Sequence, residues 1–91
     1  ADERLLTGTL GFDTVEAGCG YLETTDGTRY EVIYPDPWRL DRASGRLVGP
    51  GGQSVGPGAT VTVRGVISEE IASICQVGPI FRAVEVVGAR D

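Results

Sequence analysis

The chain has 91 residues, a net charge of −5 and no His, Lys or Met, so all eight basic residues are Arg. Without His the usual general base near neutral pH is missing, which rules out Ser/His/Asp and Cys/His arrangements, and the absence of Lys rules out a Ser–Lys pair. The acidic balance disfavours nonspecific nucleic-acid binding, which runs on basic contacts to phosphate, and no apolar run reaches the ~18 residues of a membrane-spanning helix.

Fourteen Gly and five Pro break the chain into short apolar stretches, a spacing that argues for an all-β domain with many turns. Residues 4–12 alternate, with Leu6, Gly8, Leu10 and Phe12 on one face and Leu5, Thr7 and Thr9 on the other, which predicts a half-buried strand. Gly8 marks a bend or bulge in it. After a loop over 13–18, residues 19–24 form a second strand. Asp26-Gly27 supplies a hairpin turn, because Gly tolerates the positive φ that such a turn requires. The return strand covers 29–34, with Tyr30, Val32 and Tyr34 on one face and Glu31 and Ile33 on the other. Pro35 and Pro37 end it, each lacking a donor N–H.

Residues 38–48 leave two alternatives: a loop folding Trp38, Leu40 and Leu47 over a barrel end, or a short hairpin turning at Ser44-Gly45. The echo of Val48-Gly49-Pro50-Gly51 in Val55-Gly56-Pro57-Gly58 reads as two similar tight turns, since two copies cannot build a solenoid. The Gly-rich run over 49–58 lacks the Gly-Lys-Ser/Thr end of a phosphate loop and reads as a mobile lobe. Residues 60–67 form the clearest strand, with Val61 and Val63 inward. Residues 68–75 leave two further alternatives, a helical turn capped by Ser68 with Ile71, Ile74 and Cys75 on its buried side, or a short strand over 73–77. Gly78-Pro79 turns the chain into a last strand over 80–87, followed by a frayed tail over 88–91.

The length makes one domain over 1–91, with its core over 5–87. A chain this short buries roughly 60–65% of its unfolded surface, so a cross-link weighs heavily. Closing a loop of about 55 residues removes on the order of 4 kcal/mol of denatured-state entropy. Cys19 and Cys75 are the only cysteines, and two readings are open for them: a buried reduced pair or a disulfide in an exported protein. Ala1-Asp2-Glu3 fits the first residues left by signal-peptide cleavage. The domain is therefore expected outside the cytoplasm, and a removed N-terminal lipid anchor is the one route to membrane attachment.

The order of a long strand, a hairpin, a long excursion and two further strands describes an OB-fold. The expected class is all-β: a small five-stranded OB-fold-like antiparallel barrel with a long Gly/Pro-rich excursion before the fourth strand. The segments Gly-Cys-Gly-Tyr-Leu (18–22), Asp-Gly-Thr-Arg-Tyr (26–30), Gly-Ala-Thr-Val-Thr-Val-Arg-Gly (58–65) and Ser-Ile-Cys-Gln-Val-Gly (73–78) resemble a group of small bacterial secreted or lipoprotein OB-fold-like domains of unknown function. In that group a cysteine before the first hairpin arm occurs together with one near the second cysteine segment. The resemblance covers residues 5–87, and the chain departs from it at 38–57, where the group has a shorter connection. It implies an exported location and a Cys19–Cys75 bridge, and no known reaction. In a small closed barrel those two positions can come within the ~5.5 Å Cα separation that a disulfide needs.

The aromatic residues Tyr21, Tyr30, Tyr34 and Trp38 fall on or beside the hairpin, on the face with which OB-folds bind oligonucleotides and oligosaccharides. Aromatic rings stack on bases or sugars, and Arg29, Arg39, Arg42 and Arg46 can hold phosphate or carboxylate. The candidate ligand site is therefore Tyr21, Arg29, Tyr34, Trp38, Arg39 and Arg42. The structural alternative puts Tyr30 and Tyr34 in the core, Trp38 in an open barrel end and the arginines in surface ion pairs worth ~0–1 kcal/mol each.

No catalytic residue, cofactor or metal is expected. The thirteen acids are scattered rather than paired as glycoside cleavage needs. Two cysteines without His or CxxC spacing cannot complete a zinc shell, and Asp36 with Asp41, or Asp13 with Glu16, lack the Asp-x-Asp-x-Asp-Gly loop of a calcium site. The expectation is a noncatalytic exported domain that binds a protein or an extended ligand at the cell envelope. The alternative is an oligosaccharide- or oligonucleotide-binding module built on Tyr21, Tyr34 and Trp38, with a glycan favoured over nucleic acid by charge and location.

Overall fold

The computed structural model describes residues 3–13, 19–68 and 78–91. Their strands, in chain order, are β1 (Arg4–Asp13), β2 (Cys19–Glu23), β3 (Arg29–Ile33), β4 (Arg39–Asp41), β5 (Arg46–Val48), β6 (Ser54–Val55), β7 (Thr60–Ser68) and β8 (Ile80–Arg90), with a single 3-10 turn (Pro50–Gly52) between β5 and β6. Among the described residues no helix is long and apolar enough to cross a membrane.

Five of these strands form one mixed sheet that closes on itself in the order β1-β2-β3-β8-β7. Closure depends on β1, which pairs with β7 from Arg4 to Thr9 and with β2 from Thr9 to Asp13. Period-2 alternation places Leu6, Leu10, Leu22, Val61, Val63, Phe81 and Ala83 inside, where they form the core. Tyr30 meets Phe81 edge-on, with ring centroids 6.3 Å apart. The hairpin between β2 and β3 forms at Asp26-Gly27: Gly27 has φ 87°, and the Asp26 carboxylate accepts from the Thr24 hydroxyl and the Thr28 N–H.

The remaining strands form a second, three-stranded sheet, β4-β5-β6, whose Leu47 and Val55 belong to the core and whose Leu40 packs against it. Leu40, Leu47 and Val55 lie in register across it; Leu47 is fully buried, and a Cβ placed on Gly20 would lie 2.2 Å from a Leu40 methyl. Both alternatives for 38–48 are therefore partly realised: a hairpin turns at Ser44-Gly45, and its apolar residues pack onto the core. Asp41 holds that turn through the Ala43 N–H and the Ser44 hydroxyl, and Gly45 adopts φ 76°.

Several expectations are corrected. The sheet is not wholly antiparallel: β3 and β8 run parallel, because the chain crosses through the small sheet and β7 before β8 returns beside β3. Residues 88–90 are not frayed but continue β8, since Thr60 and Val61 pair with Arg90 and Ala89. The run over 49–58 folds into the 3-10 turn and β6. Val55 gains a buried position there, and Arg46 bonds Ser54. Gly8 marks a close approach of the Glu23 backbone, while the register shifts fall between β7 and β8. Ser68 ends β7, and the two alternatives for the segment up to Cys75 lie otherwise outside the described residues.

Candidate cleft between β2 and β3

The site arises where β3 changes partners. Strands β2 and β3 pair only at Leu22–Tyr30 and Glu23–Arg29; from Glu31 onward β3 pairs with β8, through Ile80, Phe81 and Arg82. The Glu31 N–H donates to the Pro79 carbonyl at 2.9 Å, which turns that residue's backbone toward β8. The two strands separate beyond Tyr30 and leave a cleft of about 280 Å³ in the wall of the closed sheet. Cys19 and Gly20 line one side, and Glu31, Val32, Ile33 and Tyr34 the other. Trp38, Arg39, Leu40 and Arg42 border it from the small sheet and the turn before it. That volume lies near the lower end of the ~300–1,000 Å³ typical of ligand pockets, so it admits one residue-sized or sugar-sized group, and a longer ligand would lie across it.

Tyr34 shares the inward parity of Tyr30 and Val32 and packs on the core. Burial pushes its phenol up from the ordinary value of 10. The residue is half-buried, and no buried side-chain oxygen or nitrogen among the described residues is left without a hydrogen-bond partner. The Trp38 backbone N–H donates to the Pro35 carbonyl at 2.8 Å, and the indole ring lies over Gly49, where a Cβ would come within 2.5 Å of it. Arg39 and Arg42 are exposed at the rim. Asp41, between them, is held below the usual carboxylate range, first by the Ala43 N–H, then by the Ser44 hydroxyl, with the Arg39 charge adding to this.

The structure thus brings Tyr34, Trp38, Arg39 and Arg42 to one cleft and places Tyr21 and Arg29 elsewhere. Tyr21 has the opposite parity to the inward Leu22. Its ring lies over Gly11 on the outer face, with the Arg29 guanidinium carbon 4.4 Å from the ring centroid. Arg29 also pairs with Glu23 at 2.9 Å. Arg46 is held by Ser54 within the small sheet. Cys19 is buried and is not a free thiol; Cys75 lies outside the described residues. Asp41 is committed to its turn, and the pair Asp13 and Glu16 lies outside the described side chains. No group of three or more metal-ligating residues occurs among the described ones.

Gly20, Glu31, Val32, Ile33 and Leu40 also line the cleft and were not expected as site residues from the sequence. Gly20 carried a signal: a strand-interior Gly marks a close approach, here of Leu40. No protein-family model, curated protein or solved structure matches the chain.

Proposed function

We propose that this chain is a noncatalytic, exported binding domain, OB-fold-like over residues 1–91, that engages a protein or another extended ligand at the cell envelope through the cleft between β2 and β3. One observation carries this reading: half-buried Tyr34 and Trp38 and exposed Arg39 and Arg42 converge on a single opening in the sheet. An apolar body with a few convergent polar groups is the usual make-up of a ligand site. The OB-fold-like assignment draws support from the strand order, in which three consecutive strands are followed by a crossover, as in a five-stranded Greek-key barrel. The noncatalytic reading rests on the composition, which holds no His and no Lys and so lacks the usual general base near neutral pH.

We infer that Cys19 is bonded to Cys75, the one other cysteine in the chain; that Cys19 is not a free thiol supports this. Such a bond fits an oxidising compartment, and with the resemblance to secreted and lipid-anchored domains it supports export. The oligosaccharide reading remains the second one, because Tyr34 and Trp38 both border the cleft. It loses Tyr21, whose ring is covered by Arg29.

Trp38 is the sole tryptophan, so its fluorescence reports on the cleft directly. Titration with a combinatorial hexapeptide library, soluble cell-wall glycans and single-stranded oligonucleotides is expected to shift the emission with at least one class, and Arg39→Ala and Arg42→Ala are expected to weaken that response. Silence towards every class sinks the proposal.

A further inference from the structure

We propose that the ligand is an extended acidic peptide segment, which pairs its main chain with the edge of β3 at Val32, where the β2–β3 ladder has ended among the described residues, and sets a carboxylate against Arg39 and Arg42. This rests on the cleft being the binding site, and the backbone carries it further. Within a strand, successive residues direct their N–H and C=O to opposite sides. Thr24 donates to the Thr28 carbonyl across the hairpin, which sets Leu22 and Tyr30 facing each other as the next bonded pair. Glu31 faces β8. By the same alternation, the N–H and C=O of Gly20 and of Val32 face each other across the opening, and among the described residues the β2–β3 ladder does not reach them. Backbone polar groups at the wall of a core need partners. A strand-shaped peptide supplies donors and acceptors at matching spacing, which is how β-augmentation gives affinity. A sugar offers hydroxyls without that period.

The charge pattern selects the side chains. Arg39 and Arg42 border the cleft, and among the described residues Arg42 makes no ion pair. Both arginines border the cleft from the small sheet and its turn, so the ligand's carboxylate belongs on that side. A guanidinium binds a carboxylate through two parallel bonds. The net charge of −5 opposes an acidic ligand at long range. Salt screens that repulsion beyond about 8 Å at physiological strength, while the local pairs act at contact.

The test uses the intact protein, isotopically labelled, and a positional-scanning hexapeptide library with soluble cell-wall glycans alongside. Selection of Asp or Glu at one position, with movement and slowed exchange of the Val32 amide, is the expected result. N-methylation of alternate residues in the selected hexapeptide is expected to weaken binding at least ~10-fold in one phase of the alternation and little in the other. Arg39→Ala and Arg42→Ala should each weaken it about 1.5–5-fold, as exposed charge pairs do. Binding that ignores N-methylation, or selects no acid, overturns the inference. A Trp38 response to glycans with none to peptides overturns it while leaving the cleft as a binding site. Silence from both overturns the two together.

Discussion

Leu47→Ala tests whether the small sheet is part of the core that holds the cleft open. Leu47 is fully buried between Leu40 and Val55. Truncation removes three carbons, about 2.4 kcal/mol at ~0.8 kcal/mol per buried methylene. The cavity left behind raises the loss into the ~2–5 kcal/mol range of buried Leu→Ala changes. For a domain of this length, with net stability of about 5–14 kcal/mol, a loss near 3 kcal/mol lowers the melting temperature by roughly 12–24 °C. Urea melts followed by circular dichroism and by Trp38 fluorescence measure it, and both probes should shift together. Leu5→Ala is the control: Leu5 is 63% exposed, so its change should stay within about 0.5 kcal/mol. If the two variants melt alike, or if Trp38 unfolds ahead of the sheet, the small sheet is a separate appendage and the packing argument is wrong.

Gly65→Ala should lose about 1–3 kcal/mol or more, because its Cβ would lie 2.0 Å from the Arg82 carbonyl, whereas a Cβ on Gly88 meets nothing within 4 Å and Gly88→Ala should be near neutral in the same melt. Asp26 and Asp41 both have lowered pKa values, the first chiefly through the Thr24 hydroxyl and the second through the Ala43 N–H. A carboxyl depressed in the folded state contributes stability above its unfolded value of about 3.9 that is lost as pH falls through its folded one, so Asp26→Asn and Asp41→Asn should each flatten the loss of stability below about pH 4; unchanged acid profiles would refute this. Reduction, or Cys19→Ala with Cys75→Ala, should lower stability by on the order of 4 kcal/mol in the loop-entropy account, read as a mass change under reductant together with a lower melting temperature.

Local features were legible in the sequence. The parity of Leu6 and Leu10, and of Val61 and Val63, set the inward faces, and Asp26-Gly27 announced its turn. A period of two is the same in parallel and antiparallel strands, so nothing in residues 80–87 showed that β8 would lie parallel to β3. The cleft depends on that pairing, since it exists only because β3 leaves β2 for β8. Tyr21 and Tyr34 were expected in one site, and the structure separates them: one stands opposite to Leu22, the other with Tyr30 and Val32. Contacts such as Leu40 against Gly20 join distant segments, and pattern alone does not reach them.

The place of β8 has a consequence for biogenesis. It pairs with both β3 and β7 and carries Phe81, so a ribosome-bound chain still lacking it exposes two raw strand margins and a half-lined interior. Such margins invite aggregation, and pairings so distant in sequence form slowly. The sheet therefore locks only once Ile80–Arg90 has found both of its neighbours.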